Sequence, residues 1–242
     1  GSWPPPRYLG RSVAESPIIK MAVTRSQLEQ TIRDALLRSW DPIGVRARPN
    51  AYDEYDSYIP TIAEMLLADA VAPFAAAGFA QASAGPVGFG SAWLAALSYT
   101  AQLYFDFSGY SDMAIGLARL FGFVFPENFN YPYRAQSVQD FWRRWHISLS
   151  NWLRDYLYFS LPGKRIKAFT YINLFLTMVI GGLWHGASWN FVIWGALHGA
   201  GLALVRLWQT MRPGKSTGVW RYVNIALTFH FVAFAWIFFR AP

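Results

Sequence analysis

Four histidines are the residues best equipped for chemistry in this chain of 242 residues, which has no cysteine to serve as nucleophile, disulfide partner or thiolate ligand. His185 stands in the run Gly181-Gly182-Leu183-Trp184-His185-Gly186, with no charged residue within 17 positions on either side. A charged side chain buried that far inside an apolar segment costs roughly 2.5 to 3.5 kcal/mol on insertion scales, and such groups turn toward a bundle interior or a wet cavity. Imidazole escapes most of that cost by staying neutral, which leaves one ring nitrogen as a proton acceptor. His185 is therefore a candidate general base; the competing reading is a core histidine bonded to a backbone carbonyl. His146 lies 39 residues earlier, in Phe141-Trp142-Arg143-Arg144-Trp145-His146, at the junction of basic and apolar sequence. Two polar groups from different elements can then meet in one cavity.

Other chemistries have weaker support. No His-Glu-x-x-His motif occurs, and His185 and His198, 13 residues apart, would sit about 220° apart on a continuous helix, so no metal site is expected. A Ser-His-Asp arrangement drawn from Ser108, Ser111, Asp106 and Asp112 stays open, although no Gly-x-Ser-x-Gly elbow accompanies them. The two aspartates flank Phe107-Ser108-Gly109-Tyr110-Ser111, where acids tend to orient a histidine or cap a helix end.

The elements that must hold these groups are written in the charge pattern. Charged residues make up 14% of the chain and hydrophobic ones 54%, against about 25% charged for a soluble domain, so lipid is the expected solvent. Residues 1–65 hold 8 Lys/Arg and 8 Asp/Glu, whereas residues 66–242 hold 13 and 6. The whole positive excess thus lies in the second part, and with 12 Trp, 13 Tyr and 19 Phe it suits a membrane interface better than nucleic acid. Charge-free runs of 36, 38 and 18 residues begin at Ala70, Ala168 and Tyr222. With about 20 apolar residues needed per crossing, these predict five helical spans, near 89–105, 107–125, 168–185, 188–206 and 221–239. Gly182 with Gly186, and Gly195 with Gly199, are spaced for close helix packing.

Between the second and third spans, Phe141, Trp145, Leu149, Trp152 and Tyr156 recur at three- and four-residue steps opposite Arg143, Arg144 and Arg154, predicting an amphipathic helix in the headgroup plane. The expected fold is all-α: a polytopic transmembrane bundle preceded by a polar segment, 1–65. That segment opens on a Pro-rich stretch without an initiating Met, so the chain reads as processed, engineered or a fragment. A helix over about 25–39 is predicted from a capping box at Thr24 and Gln27 and the stripe Leu28, Ile32, Leu36. The acidic cluster Asp53, Glu54 and Asp56 reads as a solvated loop more than a binding patch.

Four motifs resemble one family. Tyr104-Phe105-Asp106-Phe107-Ser108-Gly109-Tyr110-Ser111-Asp112-Met113, Pro126-Glu127-Asn128-Phe129-Asn130, Asp140-Phe141-Trp142-Arg143-Arg144-Trp145-His146-Ile147-Ser148-Leu149-Ser150 and Gly182-Leu183-Trp184-His185-Gly186 are similar, in order, to the bacterial membrane-bound O-acyltransferases. The likeness covers about residues 66–242 and is strongest to the alginate O-acetyltransferase branch, with the D-alanyl transferases of teichoic acid assembly as a sister group.

The resemblance implies acyl transfer within a bacterial inner membrane, from acetyl-CoA or another acyl thioester toward a polysaccharide or an extracytoplasmic acceptor protein, with no bound cofactor. His185 matches the family's base and His146 a position that helps bind or polarise the donor. Arg143, Arg144, Trp145, Trp184, Asp106 and Asp112 are the expected substrate- and donor-binding surroundings, the basic stretch serving as a dock for an anionic donor. His198 and His230 match further histidines of the bacterial branch. It also implies that helices before Leu66 and sequence after Pro242 are missing relative to the family. A non-catalytic polytopic protein, a transport component or docking scaffold, is the rival reading.

Overall fold

A computed structural model describes residues 25–39, 59–163, 166–211 and 217–241. Thr24 and the acidic cluster at 53–56 lie outside the described residues. The chain divides into two units, residues 1–63 and 64–242.

In the first unit α1 spans Arg25–Ser39. Ile32 packs with Ile59 and Ala63 in a small apolar cluster joined by Leu28 and Ile62, which accounts for two positions of the predicted stripe.

Every regular element described after α1 is helical. α2 spans Ile59–Ala84, α3 Phe89–Leu120, α4 Val138–Trp142, α5 Ile147–Trp152, α6 Lys167–His185, α7 Trp189–Met211 and α8 Val219–Arg240. Among the described residues four helices are long and apolar enough to cross a membrane: Ile59–Ala84, Ala168–His185, Trp189–Met211 and Val219–Arg240. The last three coincide with expected spans. The other two expected spans, 89–105 and 107–125, are instead one continuous helix of 32 residues, about 48 Å long at 1.5 Å per residue. Asp106 and Asp112 are both exposed along it, so they interrupt the charge-free run without breaking the helix. The candidate span that charge counting overlooked is Ile59–Ala84, because Glu64 and Asp69 in its first half disguise its hydropathy. Glu64 is engaged, accepting a 2.6 Å hydrogen bond from the buried Ser108 hydroxyl.

The amphipathic helix expected around residues 141–156 does not form as one piece. α4 opens on a reciprocal cap: Ser137 Oγ accepts from the Asp140 N–H at 3.1 Å and Asp140 Oδ2 accepts from the Gln136 N–H at 3.1 Å. It stops at Trp142, and the chain turns through Arg143–Trp145 before His146 adopts a left-handed conformation, φ 45° and ψ 56°, as the N-cap of α5. A non-glycine residue there is uncommon, histidine being one of the more tolerant types. The break splits the aromatic stripe: Phe141 and Trp145 are buried, while Trp152 and Tyr156 are exposed. The helical path continues from α5 through a π turn at Leu153–Leu157 and a 3-10 turn at Tyr158–Ser160.

The core is aromatic. Phe141, Trp142, Trp145, Trp194 and Trp236 are buried together, with Tyr104, Phe107, Phe129, Tyr133 and Phe239 packed around them. α6 and α7 meet along a seam of glycines. A Cβ on Gly182 would strike the Phe191 carbonyl, one on Gly195 the Met178 carbonyl, and one on Gly199 the Phe175 Cα at 2.8 Å. These are backbone-to-backbone contacts, the close approach for which small residues are used in membrane helices. Gly186, by contrast, lies beyond the end of α6 and faces the Phe191 ring.

Candidate active site

His185 is the last residue of α6. Its ring is half-buried and framed by four aromatic rings, with centroids of Trp184 at 5.0 Å, Phe239 at 5.2 Å, Trp194 at 5.3 Å and Phe191 at 6.2 Å. Among the described residues no group hydrogen-bonds to it. Such a cage fixes the ring while leaving both nitrogens without a partner among the described residues. The expected alternative, an imidazole tied to a backbone carbonyl, describes His230 better: its Nδ1–H donates to the Ala226 carbonyl at 2.8 Å, and its exposed ring stacks on Trp93 at 5.8 Å.

His146 is held quite differently. The segment 128–130 runs beside 144–147, with the Asn130 N–H donating to the Arg144 carbonyl at 2.9 Å and the Ile147 N–H to the Asn128 carbonyl at 3.0 Å. This pins the left-handed turn. Asn128 Oδ1 accepts from the Ser148 N–H at 3.1 Å and from the Ser148 hydroxyl at 3.0 Å, and lies 3.3 Å from His146 Nδ1. The Asn128 amide nitrogen donates to Ser111 Oγ at 3.4 Å. Phe107 meets the His146 ring edge-on at 4.8 Å. Burial in this apolar surround pushes the His146 pKa down to about 4, and the nearby His185 imidazole adds a smaller like-charge penalty. The two histidines are thus close enough to feel each other's charge, and Trp145, Trp236 and Phe239 connect their surroundings through ring contacts of 5.2 Å.

His198 is fully buried in the middle of α7. The Trp142 indole N–H, which can only donate, reaches its Nδ1 at 3.2 Å. Nδ1 is therefore the acceptor, and the proton of the neutral ring sits on Nε2, which has no partner among the described residues.

The remaining expected site residues scatter. Trp184 is exposed against His185, whereas Trp145 is buried between Phe129, Phe141 and Trp236 as part of the packing. Asp106 and Asp112 are exposed on α3. Arg144 is half-buried and occupied by Asp140 at 2.8 Å and by the Asn130 carbonyl at 3.3 Å. Arg143 is exposed and borders a cavity of about 970 Å³ together with Arg144, Arg221, Gln136, Trp208 and Leu227. A second cavity of about 370 Å³ lies between the π turn, α6 and α7, bordered by Trp142, Thr177 and Arg206. Neither cavity is lined by His146 or His185.

Charge and hydropathy patterns pass over two groups that the structure brings to the histidines. Asn128 sits in a loop without periodicity; the only pointer to it was its place in the Pro126–Asn130 motif. Trp194, in contact with both His185 and His198 at 5.3 and 5.0 Å, looked like one more apolar position of a span.

The family model for membrane-bound O-acyltransferases matches residues 65–241. The chain belongs to the membrane-bound O-acyltransferase family. Membership, together with helices able to cross a membrane, makes it a membrane-bound, multi-pass protein. It is 55% identical over 181 residues to a probable alginate O-acetylase of Azotobacter vinelandii, covering 74% of this chain and 35% of that protein. It is 48% identical over 179 residues to the peptidoglycan O-acetyltransferase of Helicobacter pylori, covering 74% of this chain and 34% of that protein. Over 153 residues it is 35% identical to the teichoic acid D-alanyltransferase of Bacillus subtilis, covering 58% of this chain and 39% of the relative. The chain spans about a third of the length of the curated relatives it matches.

Proposed function

We propose that this chain carries the acyl-transfer site of a bacterial inner-membrane enzyme that moves an acetyl group from a thioester donor, acetyl-CoA or an equivalent, to a hydroxyl of a secreted or envelope polysaccharide of the alginate type. The observation that carries the reading is His185: an imidazole at a helix end, half-open, caged by aromatic rings and without a hydrogen-bond partner among the described residues. The named activities of the relatives support the class of reaction.

In this mechanism a neutral His185 nitrogen accepts the proton of the acceptor hydroxyl as its oxygen attacks the thioester carbonyl. The C–O bond forms, the C–S bond breaks, and the imidazolium returns its proton to the departing thiolate. General base assistance contributes about 10² to 10⁴ in rate, and the aromatic cage supplies the orientation that positioning must add. The anionic end of the donor docks at the arginine-lined cavity, with Arg143 and Arg221 as its cations and Arg144 shaping the wall. Along α8, Arg221 and Phe239 are 18 residues apart, about 27 Å, which an extended thioester arm has to bridge. Asp106 and Asp112, exposed on α3, are left to acceptor-side contacts, and an extracytoplasmic acceptor protein is the expected partner.

The test is His185→Ala in the protein encoded by the intact gene, with acetyl content of the polysaccharide read by mass spectrometry and membrane insertion checked in parallel. Loss of acetylation with normal insertion is the expected result; unchanged acetyl content removes the base assignment.

A further inference from the structure

The polar contacts of His146 determine which of its nitrogens carries the proton. The Ser148 backbone N–H can only donate, so the Asn128 atom it meets at 3.1 Å must be the carbonyl oxygen. The amide nitrogen is then the atom directed at Ser111 Oγ, 3.4 Å away, which suits a donor facing a hydroxyl. That same Oδ1 stands 3.3 Å from His146 Nδ1. Two lone pairs would repel there, whereas an N–H on Nδ1 makes a hydrogen bond. The Ser148 hydroxyl does not overturn this: at 3.0 Å it is closer to Asn128 Oδ1 than to His146 Nδ1 at 3.4 Å, so its proton is taken by the amide oxygen.

We infer that Asn128 is a positioning residue that locks His146 in the Nδ1–H tautomer, so that Nε2 presents a lone pair and His146 acts toward substrates as a hydrogen-bond acceptor. This changes the role open to the ring. A neutral imidazole held this way cannot polarise a thioester carbonyl, which requires a donated N–H. It can accept from the O–H of the acceptor alcohol or from the S–H of the released thiol. The inference rests on the acyl-transfer reading for its substrates, but the tautomer itself does not.

The groups facing His146 are Phe107 from α3, Asn128 from the preceding loop, itself bonded to Ser111, Ser148 from α5, and His185 as the titratable neighbour. The experiment is nitrogen NMR on the full-length membrane protein labelled with ¹⁵N-histidine at neutral pH, the His146 ring being identified by its loss in His146→Gln. The expected spectrum has a protonated Nδ1 and a bare Nε2. Asn128→Leu is expected to move the proton to Nε2 in most molecules, and Asn128→Asp, whose carboxylate still accepts, to retain it on Nδ1. A proton on Nε2 in the unaltered protein overturns the inference even if Asn128→Leu fails to fold, and so does an Nδ1 proton that persists in a folded Asn128→Leu protein. Because the readout is the ring and not the product, a failed acetylation assay for His185→Ala leaves this result standing, and the reverse also holds.

Discussion

The Trp142 indole donates to Nδ1 of His198 across 3.2 Å, joining α4 to the centre of α7 inside a wholly buried environment. A buried acceptor that loses its donor costs about 1 to 3 kcal/mol. Trp142→Phe is therefore expected to lower thermal stability in detergent through the orphaned imidazole nitrogen as well as the lost ring volume. His198→Leu in the Trp142→Phe background should cost less than it does alone. Independent, additive losses for the two changes would show that the bond is energetically idle.

The glycine seam offers a contrast within one protein. Gly195 faces backbone atoms of Met178 and Val179, with the Val179 Cα 3.0 Å from where a Cβ would stand, whereas Gly116 on α3 has nothing within 4 Å. Overpacking typically costs 1 to 3 kcal/mol, while an unobstructed Gly→Ala change inside a helix gains up to about 1 kcal/mol. Gly195→Ala should lower the melting temperature and Gly116→Ala should hold or raise it. Equal responses would mean that α6 and α7 are not packed backbone to backbone.

The His146 pKa near 4 sets a pH dependence whose sign follows directly. The folded value lies below the ordinary histidine value of about 6.5. Between those values the unfolded chain binds a proton that the folded chain refuses, so stability is full above about pH 6.5 and falls as pH drops toward 4. Denaturation midpoints measured from pH 7 to 4.5 should decline, and decline less in His146→Gln. Identical pH profiles would place the His146 pKa at its ordinary value.

Arg143 and Arg221 border the larger cavity, and no acidic side chain pairs with either among the described residues. If they hold the donor's anionic end, Arg143→Gln or Arg221→Gln should raise KM for the thioester about tenfold to a hundredfold, in keeping with 1.5 to 3 kcal/mol for a hydrogen bond to a charged group, with kcat little changed. Arg144→Gln should instead cost stability, since it frees Asp140. Transfer assays in membrane vesicles with varied donor concentration distinguish these outcomes. A fall in kcat with unaltered KM would detach the cavity from donor binding.

How far sequence alone reaches differs from residue to residue. The charge-free runs around His185 and His198 and around His230 located α6, α7 and α8 because no Asp, Glu, Lys or Arg intrudes on them. The same rule cut α3 in two at Asp106 and missed the candidate span that begins at Ile59, since a helix can carry an exposed acid on its rim without ending. The three- and four-residue spacing from Phe141 to Tyr156 matched a helix, yet tertiary pinning by Asn128 and Asn130 overrode it and bent the chain at His146. Local periodicity carries no record of a partner 18 residues away. The unusual conformation of His146 and its tautomer could be read only once those contacts were in place.

The interlocked backbones of α6 and α7 also limit how such a site can breathe. With carbonyls and α-carbons touching at Gly182, Gly195 and Gly199, neither helix can roll or ratchet past the other without prising apart main chain. The spacing of His185 to Trp194 is accordingly built into a stiff paired strut. Any rearrangement around His185 falls to side chains outside this strut, among them Phe239 and Trp236 of α8, which meet it through ring contacts.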